Sequence, residues 1–103
     1  AVLFTSQWEE PFGIVMVEAM GCGTPVVASA HGACPEVVGD SGVLVPGADV
    51  NAWARAMTDL AADPARRAVL AARAVERART TFTLAAIADR YEDVLRTVVR
   101  EAR

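Results

Sequence analysis

No lysine occurs anywhere in the 103 residues, and residues 1–50 contain no arginine either. That half carries six acids (Glu9, Glu10, Glu18, Glu36, Asp40 and Asp49), a net charge of −6, whereas residues 51–103 carry seven acids and ten arginines, a net of +3. Neutralising phosphates needs basic side chains, so an acidic chain with a cation-free front half argues against nucleic acid as a partner. Two cysteines are too few for a disulfide-stapled miniprotein. Long hydrophobic runs are missing as well. The longest uncharged run, Ala19 to Pro35, is broken by Gly21, Gly23, Pro25 and Gly32 and does not read as a membrane span. Acids interleave the arginines, which limits any membrane association to a peripheral one. The chain opens on Ala1 with a strand-like run and has neither a start methionine nor a charged leader, which points to a fragment or internal start and not to a signal peptide. Two unpaired cysteines without an export signal fit a reducing cytoplasm.

What is present is a folded chain. Hydrophobic residues make up 53% and charged residues 22%, enough to build a core, and the length gives room for one domain over residues 1–103. Ala1 to Thr5 reads as a short buried strand, followed by a polar loop to Glu10. Pro11 suits a first helical position, because its missing N–H would be unpaired there anyway. The helix so begun runs to Met20 and ends at Gly21-Cys22-Gly23. Thr24 to Ser29 is continuously apolar, as a parallel strand covered on both faces should be. Pro35 to Val38 makes one helical turn and Gly42 to Pro46 a third strand.

From Asp49 the period becomes helical. Asp49 is placed to cap a helix whose stripe is Val50, Trp53, Met57, Leu60 and Ala61. Asp63-Pro64 starts another helix to about Arg79. Thr83 caps a last one with the stripe Leu84, Ile87, Ala88, Tyr91, Val94, Leu95, Val98 and Val99. The order β-α-β-α-β-α-α-α predicts an α/β fold with about three parallel strands, flanking helices and a helical C-terminal tail. A doubly wound sheet has five or six strands. This chain therefore reads as half of one, with an unpaired strand edge.

The chemistry-bearing stretch runs from Glu10 to Met20. Glu18 lies in an otherwise apolar helix with no basic residue within thirty positions. An unpaired carboxylate is costly to bury, so Glu18 is expected to face a polar cleft or a ligand. Ionised carboxylates only accept hydrogen bonds, which suits sugar hydroxyls. Glu10 lies beside the helix start, where the free amides of Phe12, Gly13, Ile14 and Val15 favour an anion or hydroxyl oxygen. Gly13 would let a ligand approach the backbone. Eight residues of helix rise roughly 12 Å, too far for a proton-sharing pair and suited to two contacts along one extended ligand. The same spacing also fits an ordinary helix-start Glu and one exposed helical Glu.

Glu10-Pro11-Phe12-Gly13, Glu18-Ala19-Met20, Cys22-Gly23-Thr24-Pro25-Val26-Val27-Ala28 and Pro35-Glu36-Val37-Val38 together resemble the retaining GT-B glycosyltransferases of family 4, the group 1 glycosyltransferases. The resemblance extends to Gly42–Gly47, the Asp63-Pro64 helix start and the closing helix. It implies the C-terminal part of a Rossmann-like donor-binding domain. It also implies transfer of a sugar from a nucleotide-diphosphate donor with retained anomeric configuration, without metal or other cofactor. By position, Glu10 would lie against the transferred sugar as donor-positioning and catalytic residue. The amides of Phe12, Gly13, Ile14 and Val15 would meet sugar hydroxyls and diphosphate, and Glu18 the ribose hydroxyls. The N-terminal part of such an enzyme, with its acceptor domain and an Arg and Lys that grip the diphosphate, is absent, so the chain alone is expected to be inactive. It also departs from the family's paired glycines before Pro-Glu, reading His31-Gly32-Ala33-Cys34-Pro35-Glu36.

Two other functions stay open: a nucleotide-sugar epimerase of the same architecture, and a non-catalytic interaction module or remnant. Elsewhere, His31 is a minor proton-shuttle candidate and Trp8 stands closest to the site acids. Cys22 reads as a small turn-packing residue, and one His beside two Cys falls short of a zinc site. The arginines read as solvated helix faces. Gly21-Cys22-Gly23 lacks the third glycine of a dinucleotide fingerprint.

Overall fold

The computed structural model describes residues 1–103. Three strands, β1 (Val2–Phe4), β2 (Val26–Ser29) and β3 (Val43–Val45), pair in parallel in the order β1-β2-β3. Five helices accompany them: α1 (Ile14–Gly21), α2 (Cys34–Val38), α3 (Val50–Ala62), α4 (Pro64–Thr81) and α5 (Leu84–Glu101). The element order and the parallel sheet are those the sequence predicts.

The pleat sends alternate residues to opposite faces. In register, Phe4, Ala28 and Leu44 face one side, and Leu3, Val27 and Val43 the other. On the first side α1, α2 and Ala74 of α4 pack a core of nine buried residues, with Met16, Met20 and Val38 fully enclosed. On the second side Val27, Val45, Leu60 and Leu70 form a smaller core under α3 and α4. β2 is buried throughout because both faces are covered there. β1 and β3 are the two edges, and Leu3 remains 47% exposed on the thinner side.

Capping follows the sequence closely. Asp49 accepts from the amides of Asn51 and Ala52, Asp63 from Arg66, and Thr83 from Ala86. Each takes one or more of the amides a helix start leaves unpaired. Other expectations need correction. α3 packs through Ala52, Trp53, Ala56 and Leu60, whereas Val50 and Met57 of the predicted stripe are exposed. α5 has the predicted apolar stripe but buries none of its residues. It meets the rest of the chain near its N-terminal end, at α4 and the groove below. Two arginines are half-buried and bonded to the backbone instead of fully solvated. Arg67 donates to the carbonyls of Leu60 (2.8 Å) and Ala61 (2.6 Å), and Arg77 to those of Val37 (2.8 Å) and Glu36 (2.5 Å). Both close helix C-terminal ends, where cations are favoured.

Candidate donor-binding site

The loops leaving β1 and β2 meet at the carboxyl ends of the parallel strands, where open α/β sheets bind ligands. Three contacts pin the first loop to the second. The buried Ser29 hydroxyl, at the end of β2, donates to the Ser6 carbonyl (2.6 Å). The Ala33 amide donates to the Glu10 carbonyl (2.8 Å). His31 Nδ1 lies 3.5 Å from a Glu9 carboxylate oxygen. Gly32 lies flat against the Glu10 peptide: a β-carbon there would come within 2.7 Å of the Glu10 carbonyl oxygen, and its φ is 54°. The first glycine of the loop pair is thus kept, while Ala33 occupies the second place without strain, with φ −79°.

These contacts explain why α1 starts later than its proline predicts. A helix beginning at Pro11 would use the Glu10 carbonyl as acceptor for Ile14. That carbonyl is already engaged by Ala33. Gly13 then turns the chain with φ 81°, which a continuing right-handed helix does not allow, and α1 begins at Ile14. Gly13 is itself buried, with its open side against Met16 and Phe4. Its lack of a side chain serves the turn and its packing, not the close approach of a ligand.

The start of α1 is uncapped. No side chain accepts from it, and the first amide to find a backbone partner is that of Met16, which donates to the Gly13 carbonyl (3.0 Å). The amides of Phe12, Gly13, Ile14 and Val15 have no backbone acceptor. Ile14 and Val15 are exposed at 63% and 49%, which leaves this end open.

Glu10 is half-buried, with its side chain over Gly13: the Glu10 Cγ lies 3.5 Å from where a Gly13 β-carbon would be. Glu18 follows Ile14 by four residues and shares its exposed face, while Met16, Ala19 and Met20 face the core. Glu10 thus lies beside the open start of α1 and Glu18 on the exposed face of the same helix. Glu18 lies one helical turn beyond Ile14, about 6 Å along the axis, and only this part of the interval from Glu10 is helical. Neither Glu10 nor Glu18 makes an ion pair.

Cys22 does not pack the turn as expected. Cys34 is the buried packing residue of α2, and Cys22 is exposed at the end of α1. Burial raises the Cys34 thiol above its ordinary value; a hydrogen bond with Ser29 opposes the rise and the Glu10 carboxylate adds to it. Trp8 is 64% exposed on the same loop. A groove of about 580 Å³ lies behind Phe12, lined by Glu36, Phe82, Ile87, Arg90 and Tyr91 among others, and contains neither Glu10 nor Glu18. Sequence reasoning missed Ser29, Gly32 and Ala33 as builders of the site. Their contacts are with residues more than twenty positions away, and no local pattern announces them.

A profile of the family described as "Glycosyl transferases group 1" matches residues 1–80. The chain belongs to this family. Among relatives of this group 1 glycosyltransferase chain, the D-inositol 3-phosphate glycosyltransferase of Stackebrandtia nassauensis is 44% identical over 90 residues, covering 85% of this chain and 20% of that protein. The protein of the same name from Salinispora tropica is 51% identical over 74 residues, covering 70% and 15%. Among solved structures, sucrose-phosphate synthase from Thermosynechococcus elongatus aligns with a TM-score of 0.79 at 39% identity, over 98% of this chain and 26% of that one. Anabaena Alr3699/HepE, solved in complex with UDP-glucose, aligns with a TM-score of 0.82 at 33% identity, over 93% and 27%. The chain thus has the Rossmann-like GT-B arrangement and spans about a fifth of the curated relatives' length. No helix is long and apolar enough to cross a membrane.

Proposed function

We propose that this chain is the C-terminal part of the donor-binding domain of a retaining glycosyltransferase, and that its site holds a nucleoside-diphosphate sugar. The observation that carries the reading is the uncapped start of α1, with an unpaired carboxylate beside it at Glu10 and another one turn along at Glu18. Open amides favour phosphate or hydroxyl oxygens, and the carboxylates favour hydroxyl donors. A ligand with a sugar at each end and phosphates between matches that order. The Anabaena protein that aligns over 93% of this chain is solved with UDP-glucose, and in another structure with UDP and glucose.

In this reading Glu10 contacts the transferred sugar, and the amides from Phe12 to Val15 take sugar hydroxyls and diphosphate oxygens. Glu18, one turn further along, accepts from the ribose hydroxyls. When the bond from the anomeric carbon to the diphosphate breaks, the electron pair leaves with the diphosphate and the sugar gains oxocarbenium character. A carboxylate fixed beside it stabilises that charge. Residues 1–50 supply no cation against the diphosphate, so tight donor binding and turnover require the upstream part of a longer enzyme.

Calorimetric titration of UDP-glucose and a GDP-sugar into the 103-residue chain tests this account. Millimolar binding or weaker is expected, about 4 kcal/mol at most. Micromolar affinity would mean that the missing cations are dispensable and that the phosphate account is wrong.

A further inference from the structure

We infer that Arg77 is a positioning residue for the Glu10 loop, acting through two contact chains that start at one guanidinium. This rests on the reading of Glu10 as the residue facing the donor sugar. Arg77 lies on α4, more than sixty residues away from Glu10 in sequence, and it touches no part of the proposed donor site.

The first chain runs through the short helix α2. Arg77 Nε donates to the Val37 carbonyl at 2.8 Å, and the Val37 amide donates to the Ala33 carbonyl at 2.9 Å. The Ala33 amide donates to the Glu10 carbonyl at 2.8 Å. The guanidinium closes the C-terminal end of α2, and this five-residue helix passes that fixing to Ala33 at its start, which holds the Glu10 carbonyl. The second chain is aromatic. The Arg77 guanidinium carbon lies 5.9 Å from the centroid of the Phe82 ring. Phe82 meets Phe12 edge to face, with centroids 5.7 Å apart and planes at 70°. The two chains end at Glu10 and Phe12, on either side of Pro11.

Only a planar, forked cation serves both. The guanidinium spans the neighbouring carbonyls of Glu36 and Val37 while its face lies over a ring, and an ammonium does not reproduce that geometry. Room for it comes from Gly39, where a β-carbon would lie 2.8 Å from the guanidinium carbon. Arg67 supplies an internal control. It closes α3 with two bonds from Nη1 to the carbonyls of Leu60 and Ala61, and neither reaches the Glu10 loop.

The test is amide hydrogen exchange, read by NMR, on the 103-residue chain carrying Arg77→Met, Arg77→Lys or Arg67→Met. Loss of Arg77 should lower protection at Ala33 by about tenfold relative to the β2 amides of Val27 and Ala28, with lysine intermediate. Arg67→Met should leave that ratio unchanged. The inference is overturned if Arg77→Met lowers protection uniformly across the chain, or loosens Ala33 no more than Arg67→Met does. Should Arg77→Met fail to fold, the ratio in Arg77→Lys decides: a value equal to that of the unaltered chain overturns the inference. In a polypeptide of the relatives' full length, turnover of UDP-glucose should fall in Arg77→Met with a smaller change in KM. If Ala33 loosens while both constants hold, the positioning stands and the assignment of Glu10 to the donor sugar fails.

Discussion

The two faces of the sheet are built unequally. One carries nine buried residues, two short helices and the open start of α1; the other carries four buried residues under α3 and α4. The site lies on the better-packed face. Its loops are pinned by Ser29, Gly32 and Ala33, whereas the second face leaves Leu3 exposed. In the proposed function the Glu10 carboxylate must be fixed before charge develops, and dense packing beneath its loop would serve that. The thin face carries no comparable demand.

Four sets of substitutions and one chemical modification test the difference between the faces. The largest effect is expected for Glu10→Gln in a polypeptide of the relatives' length: turnover should fall by about a hundredfold or more, with little change in donor KM. Steady-state kinetics with the donor varied checks it. Next come the cores. Met20→Ala on the site face should cost about 3–5 kcal/mol, and Leu60→Ala on the thin face about 2–3, because a sparse shell collapses more easily into the space left. Urea unfolding of the two variants gives the difference, and equal losses would contradict the asymmetry. Glu18→Gln should raise donor KM about tenfold with turnover kept, as expected for loss of a charged acceptor.

The smallest effect is chemical. Exposed Cys22 should alkylate readily at mild alkaline pH and Cys34 only on unfolding. Because folding raises the Cys34 thiol above its ordinary 9.0, its contribution to stability is complete below that pH and is lost as pH rises through the higher folded value. Cys34→Ala should therefore flatten the alkaline decline in unfolding free energy. A decline unchanged by the substitution would assign it to other groups.

Much of the fold was legible because its signals are local. Asp49, Asp63 and Thr83 cap where a short polar residue precedes a periodic run, and Thr24 to Ser29 reads as a strand buried on both faces. What was not legible depends on partners far along the chain. The start of α1 is decided by Ala33 occupying the Glu10 carbonyl, and Gly13 is needed because Met16 and Phe4 fill the space beside it. Arg67 and Arg77 look solvated on a helical wheel, yet each reaches across to carbonyls of another helix. The stripe on α5 predicts burial that this chain does not provide. For the site, the two acids and the open amides between them could be read from spacing. The loop that holds Glu10 could not.

The most direct measurement is a residue-resolved NMR titration of the 103-residue chain with UDP-glucose. The account predicts the largest amide shifts at Phe12, Ile14, Val15 and Glu18, saturating together in the millimolar range, with Leu95 to Val99 on α5 unmoved. Shifts centred on the groove behind Phe12 or on α5, with the start of α1 silent, would contradict it.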